Sequence, residues 1–260
     1  MTDYQTMTLD VDEDGIAHLT LNRADKHNAM NAQMITELSN AAQKCGSDPN
    51  VRAVILRANG KSFCAGGDLT WMQAQANADR NGKIKEASTL SNMLLELYQF
   101  SKPLISVVQG PAYGGGIGLI SVCDIVIAHP SSKFSLTETK LGLIPATIGP
   151  FVIKRLGEGA ARQVFFTGKL FDPEYAQRVG LISFVTENLE SAVEREIKSV
   201  LKTAPQASAR AKALCLKLSG GISREDIDHS IEALADAWES DEAQHGIQAF
   251  FNQSKPDWVK

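Results

Sequence analysis

The chain has 260 residues, of which 43% are hydrophobic and 22% are charged. It is long enough to enclose a sizeable core and is typical of a globular protein. The net charge of -4 gives no general attraction to nucleic acid or anionic membranes, and no apolar run reaches the length of a membrane span. The polar, acidic start MTDYQTMTLDVDEDG lacks the apolar region of a secretory signal, so we expect a cytoplasmic protein without membrane or nucleic-acid partners.

The first part of the chain alternates strand and helix patterns. Two alternating stretches around Asp14-Gly15 predict a β-hairpin, and a helix with regular apolar spacing follows over 30–45. The stretch VRAVILRAN predicts a buried strand. The next segment, LTWMQAQANADRNGKIKEASTLSNMLLELYQFS, is helical at both ends, and its polar middle around Asn81-Gly82 predicts an exposed, mobile break.

The second part begins with strands and ends with helices. LISVVQG and DIVIA predict two short buried strands on either side of a glycine cluster, and GLISFV predicts one late strand. From Gly149 onward, helical patterns dominate. The sequence therefore predicts an α/β core over 1–200 followed by a helical C-terminal region over 201–260.

Two glycine-bearing turns follow predicted strands. One contains Gly114, Gly115, Gly116 and Gly118, and the other, KSFCAGGDLTWM, contains Gly66 and Gly67 and enters a helix at Asp68. A short helix that starts inside such a turn directs unpaired amide donors toward an anion or a polarised carbonyl. Two such turns from adjacent strands would aim one amide each at the same oxygen, which is the geometry of an oxyanion hole.

The glycine turns have alternative interpretations. Glycine also serves tight turns and close packing of helix on sheet, without any ligand. The cluster before DIVIA, with Glu138 further on, also resembles a dinucleotide-binding fingerprint. We reject the second alternative, because DIVIA begins too soon after Gly118 to leave room for the crossover helix of that fold.

The motifs FCAGGDLTWM, GPAYGGGIGLISVCDIVIA, LNRADKHNAMN and FSLTETKLGLIP together resemble the enoyl-CoA hydratase/isomerase family, also called the crotonase superfamily. The resemblance covers nearly the whole chain and implies a crotonase-like ββα spiral that acts on an acyl-CoA thioester. It is strongest to the branch that hydrates methylglutaconyl-CoA and related branched thioesters, because FCAGGDLTWM keeps that branch's Asp-Leu-x-Trp-Met ending. The resemblance also implies a homotrimer or a dimer of trimers, with 201–260 as the trimerisation region, and no cofactor beyond the coenzyme A of the substrate.

The resemblance assigns roles to individual residues. The amides of Gly67 and Gly115 would hold the thioester oxygen, and the CAGGD loop would carry the adenine end of coenzyme A. The residues implied in coenzyme A binding are Lys26, Ala65, Gly66, Asp68, Phe250 and Lys255. Of these, Lys26 would lie near the phosphates, although a loop lysine is also simply solvated. The last two would cover the adenosine from a neighbouring subunit, although on sequence alone a capped amphipathic terminal helix explains them better.

One carboxylate of the family pattern is missing. Family hydratases usually have two glutamates across the thioester, and here the first position is Gly118 while Glu138 keeps the second. We expect Glu138 to be the catalytic acid and base, although Ser135 to Glu138 also form a helix capping box. We expect Gly118 to leave room for a branched acyl chain. For hydration, the water would be oriented by Glu138 alone, by a substrate carboxylate, or by another polar group.

The remaining candidates support no second chemistry. The four cysteines and five histidines have no metal-site spacing, so no metal is expected. Small-residue packing explains Cys64 better than a nucleophilic role. Trp71 and Met72 line either the acyl pocket or the core, and Arg80 and Lys83 are candidate partners for a distal substrate carboxylate. We predict an enoyl-CoA hydratase; the alternatives are a Δ3,Δ2-enoyl-CoA isomerase that uses Glu138 alone, and an inactive CoA-binding or RNA-binding protein.

Overall fold

The computed structural model describes residues 4–260. The strands are β1 Met7–Val11, β2 Ile16–Leu21, β3 Ala53–Ala58, β4 Leu104–Val108, β5 Ala112–Tyr113, β6 Ile125–Ala128, β7 Phe134–Ser135 and β8 Phe184–Val185. The helices are α1 Ala32–Ser47, α2 Leu69–Asn77, α3 Arg80–Tyr98, α4 Gly115–Ser121, α5 Gly149–Leu156, α6 Glu158–Phe165, α7 Pro173–Arg178, α8 Leu189–Leu201, α9 Pro205–Leu218, α10 Arg224–Glu239 and α11 Asp241–Phe251. Two 3₁₀ turns cover Ala24–Lys26 and Glu138–Leu141.

The main sheet has six strands in the order β1-β2-β3-β4-β6-β8. The β1-β2 pair is antiparallel, and the other neighbours are parallel. The inner strands are apolar on both faces because helices cover both. In β4, for example, Leu104 and Val108 enter the larger core, while Ile105 and Val107 pack with α8 on the opposite face.

Most of the predicted elements are confirmed, and one is displaced. The hairpin turn at Asp14-Gly15 is present, with Gly15 at φ +79°. The break predicted around Asn81-Gly82 is present, but both of these residues lie in the first turn of α3. The chain breaks two residues earlier, where the Asp79 side chain accepts a hydrogen bond from the Gly82 amide and caps the new helix.

A second, two-stranded sheet carries the glycine cluster. It pairs β5 with β7 in parallel, and isolated bridges extend it to Cys64 on one side and Phe171 on the other. The segment before β5 leaves the end of β4 directly, and α4 begins directly after β5. The second sheet therefore lies at the carboxyl end of the main parallel strands, which is where ligand sites form in such sheets.

The C-terminal helices pack on the core of the same chain. Helix α10 lies along α3, and α11 lies against the 3₁₀ turn Glu138–Leu141. The separate role of 201–260 in trimer formation stays a prediction. Within residues 4–260, none of the helices combines the length and the apolar character that a membrane span requires.

Asn28 ties together the loops that precede the site. It is fully buried and lies in the left-handed region at φ +52°. Its side-chain oxygen accepts a hydrogen bond from the Arg23 amide, and its side-chain nitrogen donates to the carbonyls of Asn59 and Ser62. Asparagine tolerates this backbone conformation better than most residues, so one side chain satisfies three backbone groups and an unusual turn.

We predict that Asn28→Ala lowers the free energy of unfolding by about 2–4 kcal/mol, because it leaves buried carbonyls without donors in a strained turn. Urea unfolding followed by circular dichroism measures this. The matched control is Asn188→Ala, which removes an exposed helix cap at α8 and should cost only about 1 kcal/mol. Equal losses in the two variants would contradict the role given to Asn28.

Candidate active site

The two glycine turns lie next to each other in the fold. The amide of Tyr113 donates to the carbonyl of Cys64, and the isolated bridge from Cys64 to Ala112 continues the second sheet. Gly66 and Gly114 both have positive φ, at +95° and +45°. These conformations favour glycine, and they let the backbone turn sharply from strand into helix at both positions. The predicted pairing of the two turns is therefore present.

Gly67 and Gly115 border the same cavity, and their amides have no acceptor within the described chain. Both residues line a space of about 130 Å³. The bridge between Met30 and Gly67 is formed by the amides of Met30 and Asp68, so it does not use the amide of Gly67. Gly115 is the first residue of α4, and the amides of a helix's first turn have no acceptor within the helix. Within residues 4–260, neither glycine amide donates to a protein acceptor. The arrangement presents two free donors, as an oxyanion hole requires.

Methionine side chains pack closely behind both glycines. A Cβ atom at Gly67 would lie 3.2 Å from Cγ of Met72, and one at Gly115 would lie 3.1 Å from Cε of Met30. These contacts fix the two turns and leave little space for a side chain at either position. The rest of the cavity wall is mostly apolar and consists of Trp71, Leu90, Glu138, Leu143, Ile144, Pro145, Ala146, Thr147, Ile148 and Leu234.

Glu138 is the carboxyl group of this cavity. A Cβ atom at Gly114 would lie 3.0 Å from Oε1 of Glu138, so the carboxyl packs against the glycine turn itself. The residue as a whole is half-buried, but its Oε2 is enclosed and has no hydrogen-bond partner within the described chain. Burial raises the pKa of Glu138 to about 7. Such a group exchanges protons readily near neutral pH.

The capping-box alternative for Glu138 is wrong. Ser135 belongs to β7, and its hydroxyl donates to the carbonyl of Gly168 instead of capping a helix. Glu138 is the first residue of its 3₁₀ turn, and Thr137 precedes it without a side-chain cap. The carboxyl is therefore free of the structural role that the local sequence also allowed.

Helix α11 supports the turn that carries Glu138. A Cβ atom at Gly246 would lie 2.6 Å from the carbonyl of Leu141, and one at Gly142 would lie 2.4 Å from the carbonyl oxygen of Glu242. Both are contacts between backbones that only glycine permits. The position of Glu138 consequently depends on a helix more than a hundred residues later in the chain.

Gly118 lies outside the cavity, and the expectation that it leaves room for an acyl chain is wrong. It is buried in α4, and a Cβ atom there would lie 2.5 Å from Cγ2 of Ile148 and 3.4 Å from Leu94. Ile148 already fills the space beside Gly118. Gly118 is not among the residues that line the cavity, and its assignment to the catalytic set stays a prediction.

Three of the residues implied in coenzyme A binding lie on two touching loops. The amide of Ala65 donates to the carbonyl of His27, beside the exposed Lys26, and the carbonyl of Gly66 accepts from Met30. Their role in binding coenzyme A stays a prediction. Loops that meet through backbone hydrogen bonds next to the cavity suit the passage of a long ligand.

The other three residues of that set are placed differently. The carboxylate of Asp68 is engaged: it caps α2 and accepts from Arg23 at 2.9 Å. Phe250 is an exposed residue of α11 that packs on Phe251, and Lys255 is exposed beyond the helix. The structure brings neither into the cavity, and their proposed contact with a neighbouring subunit stays a prediction.

The candidates for a distal carboxylate partner also lie outside the cavity wall. Arg80 pairs with three carboxylates of α10 at distances from 2.7 to 2.9 Å, those of Glu232, Asp236 and Glu239. Lys83 lies 5.8 Å from the ring centre of Trp238. Both cations already hold α3 against α10, which is a structural role.

Three further side chains near the site, those of Cys64, Trp71 and Met72, have defined surroundings. Cys64 is fully buried, and burial raises the pKa of its thiol to about 11, which disfavours a thiolate nucleophile. Trp71 lines the cavity, and its Nε1 donates to Glu86 at 3.0 Å. Met72 packs behind Gly67 instead of forming the acyl wall.

Sequence reasoning did not identify most of the cavity wall. Met30, Leu90 and Leu234 belong to three separate parts of the chain, and each only continues the apolar spacing of its element. The loop from Leu143 to Ile148 contributes six neighbouring wall residues. Its position directly after Glu138 was the one available signal.

The chain is similar to known proteins in sequence and in fold. The family model described as enoyl-CoA hydratase/isomerase matches residues 12–260. Enoyl-CoA hydratase AKT6-1 of Alternaria alternata is 33% identical over 215 residues, which cover 82% of this chain and 70% of that protein. The crystal structure of an enoyl-CoA hydratase from Shewanella pealeana has a TM-score of 0.82 and 37% identity, and covers 98% of this chain and 96% of that chain. An enoyl-CoA hydratase structure from Mycobacterium avium has a TM-score of 0.89 and 29% identity, with coverage of 98% and 99%. These matches confirm the predicted crotonase-like α/β fold.

We predict that Gly118→Ala lowers the free energy of unfolding by about 1–3 kcal/mol, because the new methyl group collides with Ile148. Urea unfolding measures the loss, and Ile148→Ala in the same chain should remove most of it. The matched control is Gly159→Ala in α6, where the added Cβ meets no atom within 4 Å. That variant should be stabilised by up to about 1 kcal/mol. If Gly118→Ala lowers the free energy of unfolding as much in the Ile148→Ala background as in wild type, the packing described is contradicted.

We predict that wild type loses stability relative to Glu138→Gln as the pH rises from about 4.5 to about 7. The buried carboxyl stays protonated in the folded chain up to a pKa of about 7, while the unfolded chain ionises near 4.5. Between these two pH values the folded state binds a proton that the unfolded state has lost. The free energy of unfolding is therefore highest below pH 4.5 and falls until the pH passes about 7. Urea unfolding at a series of pH values measures the difference. A gap between the two proteins that does not change with pH would show that Glu138 is not buried as described.

Proposed function

The chain belongs to the enoyl-CoA hydratase/isomerase family, and we propose that it adds water across the 2,3 double bond of an enoyl-CoA thioester. One observation carries the proposal: two free amides, of Gly67 and Gly115, and the buried carboxyl of Glu138 share a single cavity. The names of its relatives support the same reaction type.

The two amides supply the electrostatic part of the reaction. Attack of water at C3 moves the double-bond electrons toward the thioester, and negative charge collects on the thioester oxygen. Donors already fixed in an apolar cavity stabilise this enolate without having to reorganise. Loss of one such donor typically lowers the rate on the order of 10²- to 10³-fold.

Glu138 supplies the proton transfers. As the carboxylate, it takes a proton from water while the water oxygen bonds to C3, and as the acid it returns that proton to C2 of the enolate. Water thus provides both added groups, and the carboxyl ends in its starting state. A pKa of about 7 suits both halves of this exchange near neutral pH.

A branched glutaconyl-type thioester is the narrower substrate proposal. The support is the FCAGGDLTWM motif, whose ending is shared with that branch of the family. Among the described residues of the cavity wall there is no lysine or arginine to pair with a distal carboxylate. The substrate carboxylate would therefore have to be solvated or be held by the coenzyme A loops.

A Δ3,Δ2-enoyl-CoA isomerase is the second candidate. The observation in its favour is that Ile148 fills the space beside Gly118, where the family's first glutamate would stand. Moving a proton between C2 and C4 requires one base and the two amides, all of which are present. It requires no oriented water.

We predict that the protein removes the absorbance of a 2-enoyl thioester, and that Glu138→Gln lowers kcat at least about 10²-fold. The substrates are crotonyl-CoA, 3-methylglutaconyl-CoA and a 3-enoyl-CoA, with products resolved by mass spectrometry. The control is Glu158→Gln, an exposed carboxylate of α6 that should retain full activity. The wild-type kcat/KM should fall below pH 7, since the free enzyme needs the carboxylate form.

The three substrates separate the candidates. Hydration of 3-methylglutaconyl-CoA much faster than crotonyl-CoA would support the narrower substrate, and equal rates would reject it. Conversion of the 3-enoyl-CoA without any hydrated product from the other two would replace the hydratase by the isomerase.

A further inference from the structure

Hydration places a demand on the cavity that Glu138 alone meets poorly. The attacking water must give a proton to the carboxyl and point its oxygen at C3 at the same time. Its orientation is fixed best when a second polar group also holds it. The position of the family's first glutamate is Gly118, and its surroundings are filled by Ile148 and Leu94. A second group must come from elsewhere in the wall.

Thr147 is the wall residue that has an unused polar side chain. The polar side chains of the described cavity wall belong to Trp71, Glu138 and Thr147. The indole nitrogen of Trp71 already donates to Glu86 at 3.0 Å. Thr147 is half-buried, and within residues 4–260 neither its hydroxyl nor its amide donates to a protein acceptor.

The backbone of Thr147 is held from two sides. The hydroxyl of Ser91, on α3, donates to the Thr147 carbonyl at 3.2 Å. The hydroxyl of Ser230, on α10, donates to the Ala146 carbonyl. Since the peptide between Ala146 and Thr147 is trans, the Thr147 amide points away from the carbonyl that Ser230 holds.

The next residue adds a third anchor. Ile148 packs against Gly118 on α4, so the chain on the carboxyl side of Thr147 is fixed to the helix that begins with the amide of Gly115. A polar group that is held on both sides by packing and hydrogen bonds has a defined position before the substrate arrives. The backbone of Thr147, which carries the free amide and the hydroxyl side chain, is therefore preorganised in the wall that Glu138 also lines.

We propose that Thr147 is a second catalytic residue, whose hydroxyl and amide hold the attacking water beside Glu138 in place of the missing carboxylate. This inference rests on the proposed hydratase function. Thr147 exchanges no proton: the water oxygen bonds to C3, the double-bond electrons move to the thioester oxygen, and the proton passes from water to Glu138 and then to C2. A neutral hydroxyl also places no second negative charge beside the ionised carboxyl, unlike a second glutamate.

The test compares Thr147→Val with Thr147→Ser. Valine keeps the shape of the side chain and removes the hydroxyl, while serine keeps the hydroxyl. Two rates are measured for each protein: hydration of crotonyl-CoA or 3-methylglutaconyl-CoA, and deuterium uptake at C2 during conversion of a 3-enoyl-CoA in D₂O. The second rate needs Glu138 and the two amides but no attacking water, so it reports whether the rest of the site is intact.

We expect Thr147→Val to lower kcat for hydration about 10²-fold, with KM and the rate of deuterium uptake changed by less than a factor of about 3. Thr147→Ser should retain hydration within a factor of about 10 of wild type. Hydration by Thr147→Val at the wild-type rate would overturn the inference while leaving the hydratase function standing. A parallel loss of hydration and deuterium uptake would also overturn it, since it indicates a structural role only. If wild type takes up deuterium but hydrates neither substrate, the hydratase function itself fails, and the role of Thr147 fails with it.

Discussion

A short backbone ladder between 63–64 and 111–113 determines the geometry of the whole site. The amides of Phe63 and Cys64 both donate to the carbonyl of Pro111, and the amide of Tyr113 donates to the carbonyl of Cys64. Helix α4 begins directly on this ladder, where a Cβ atom at Gly116 would lie 2.8 Å from the Cys64 carbonyl oxygen. The two free amides lie a few bonds beyond the ladder. Their separation is therefore set by main-chain hydrogen bonds, which the methionine side chains behind Gly67 and Gly115 reinforce.

The second determinant is the enclosure of one carboxyl group in an apolar wall. An ionised carboxylate is unfavourable in such surroundings, and Oε2 of Glu138 has no hydrogen-bond partner, so burial raises the pKa of this group to about 7. The fold tolerates this because the turn that carries the group is fixed by α11 through backbone contacts at Gly142 and Gly246. Burial of the carboxyl destabilises the fold, and the packing around it compensates. Such strained groups are common at functional sites.

The fold and the two glycine turns were predictable, whereas the shape of the cavity was not. A single glycine turn after a buried strand also serves packing alone, but two such turns in matching contexts, with Glu138 further along the chain, indicate a site. The loss of space at Gly118 could not be predicted, because the side chain that fills it, Ile148, comes thirty residues later and looks like any apolar residue. Local patterns also cannot separate a capping box from a buried carboxyl, since that depends on whether Ser135 ends a strand or starts a helix. Contacts between distant segments decide such cases.

The backbone contact between Leu141 and Gly246 limits how this site is able to diverge. A contact that contains no side chain offers nothing for substitution to adjust: any residue larger than glycine at 246 meets the Leu141 carbonyl at 2.6 Å. New acyl specificities would therefore arise by exchange of wall residues such as Leu90, Ile144 and Leu234, which lie outside the turn that carries the carboxyl. The same architecture gives a protein engineer a clear division between positions to randomise and positions to leave untouched.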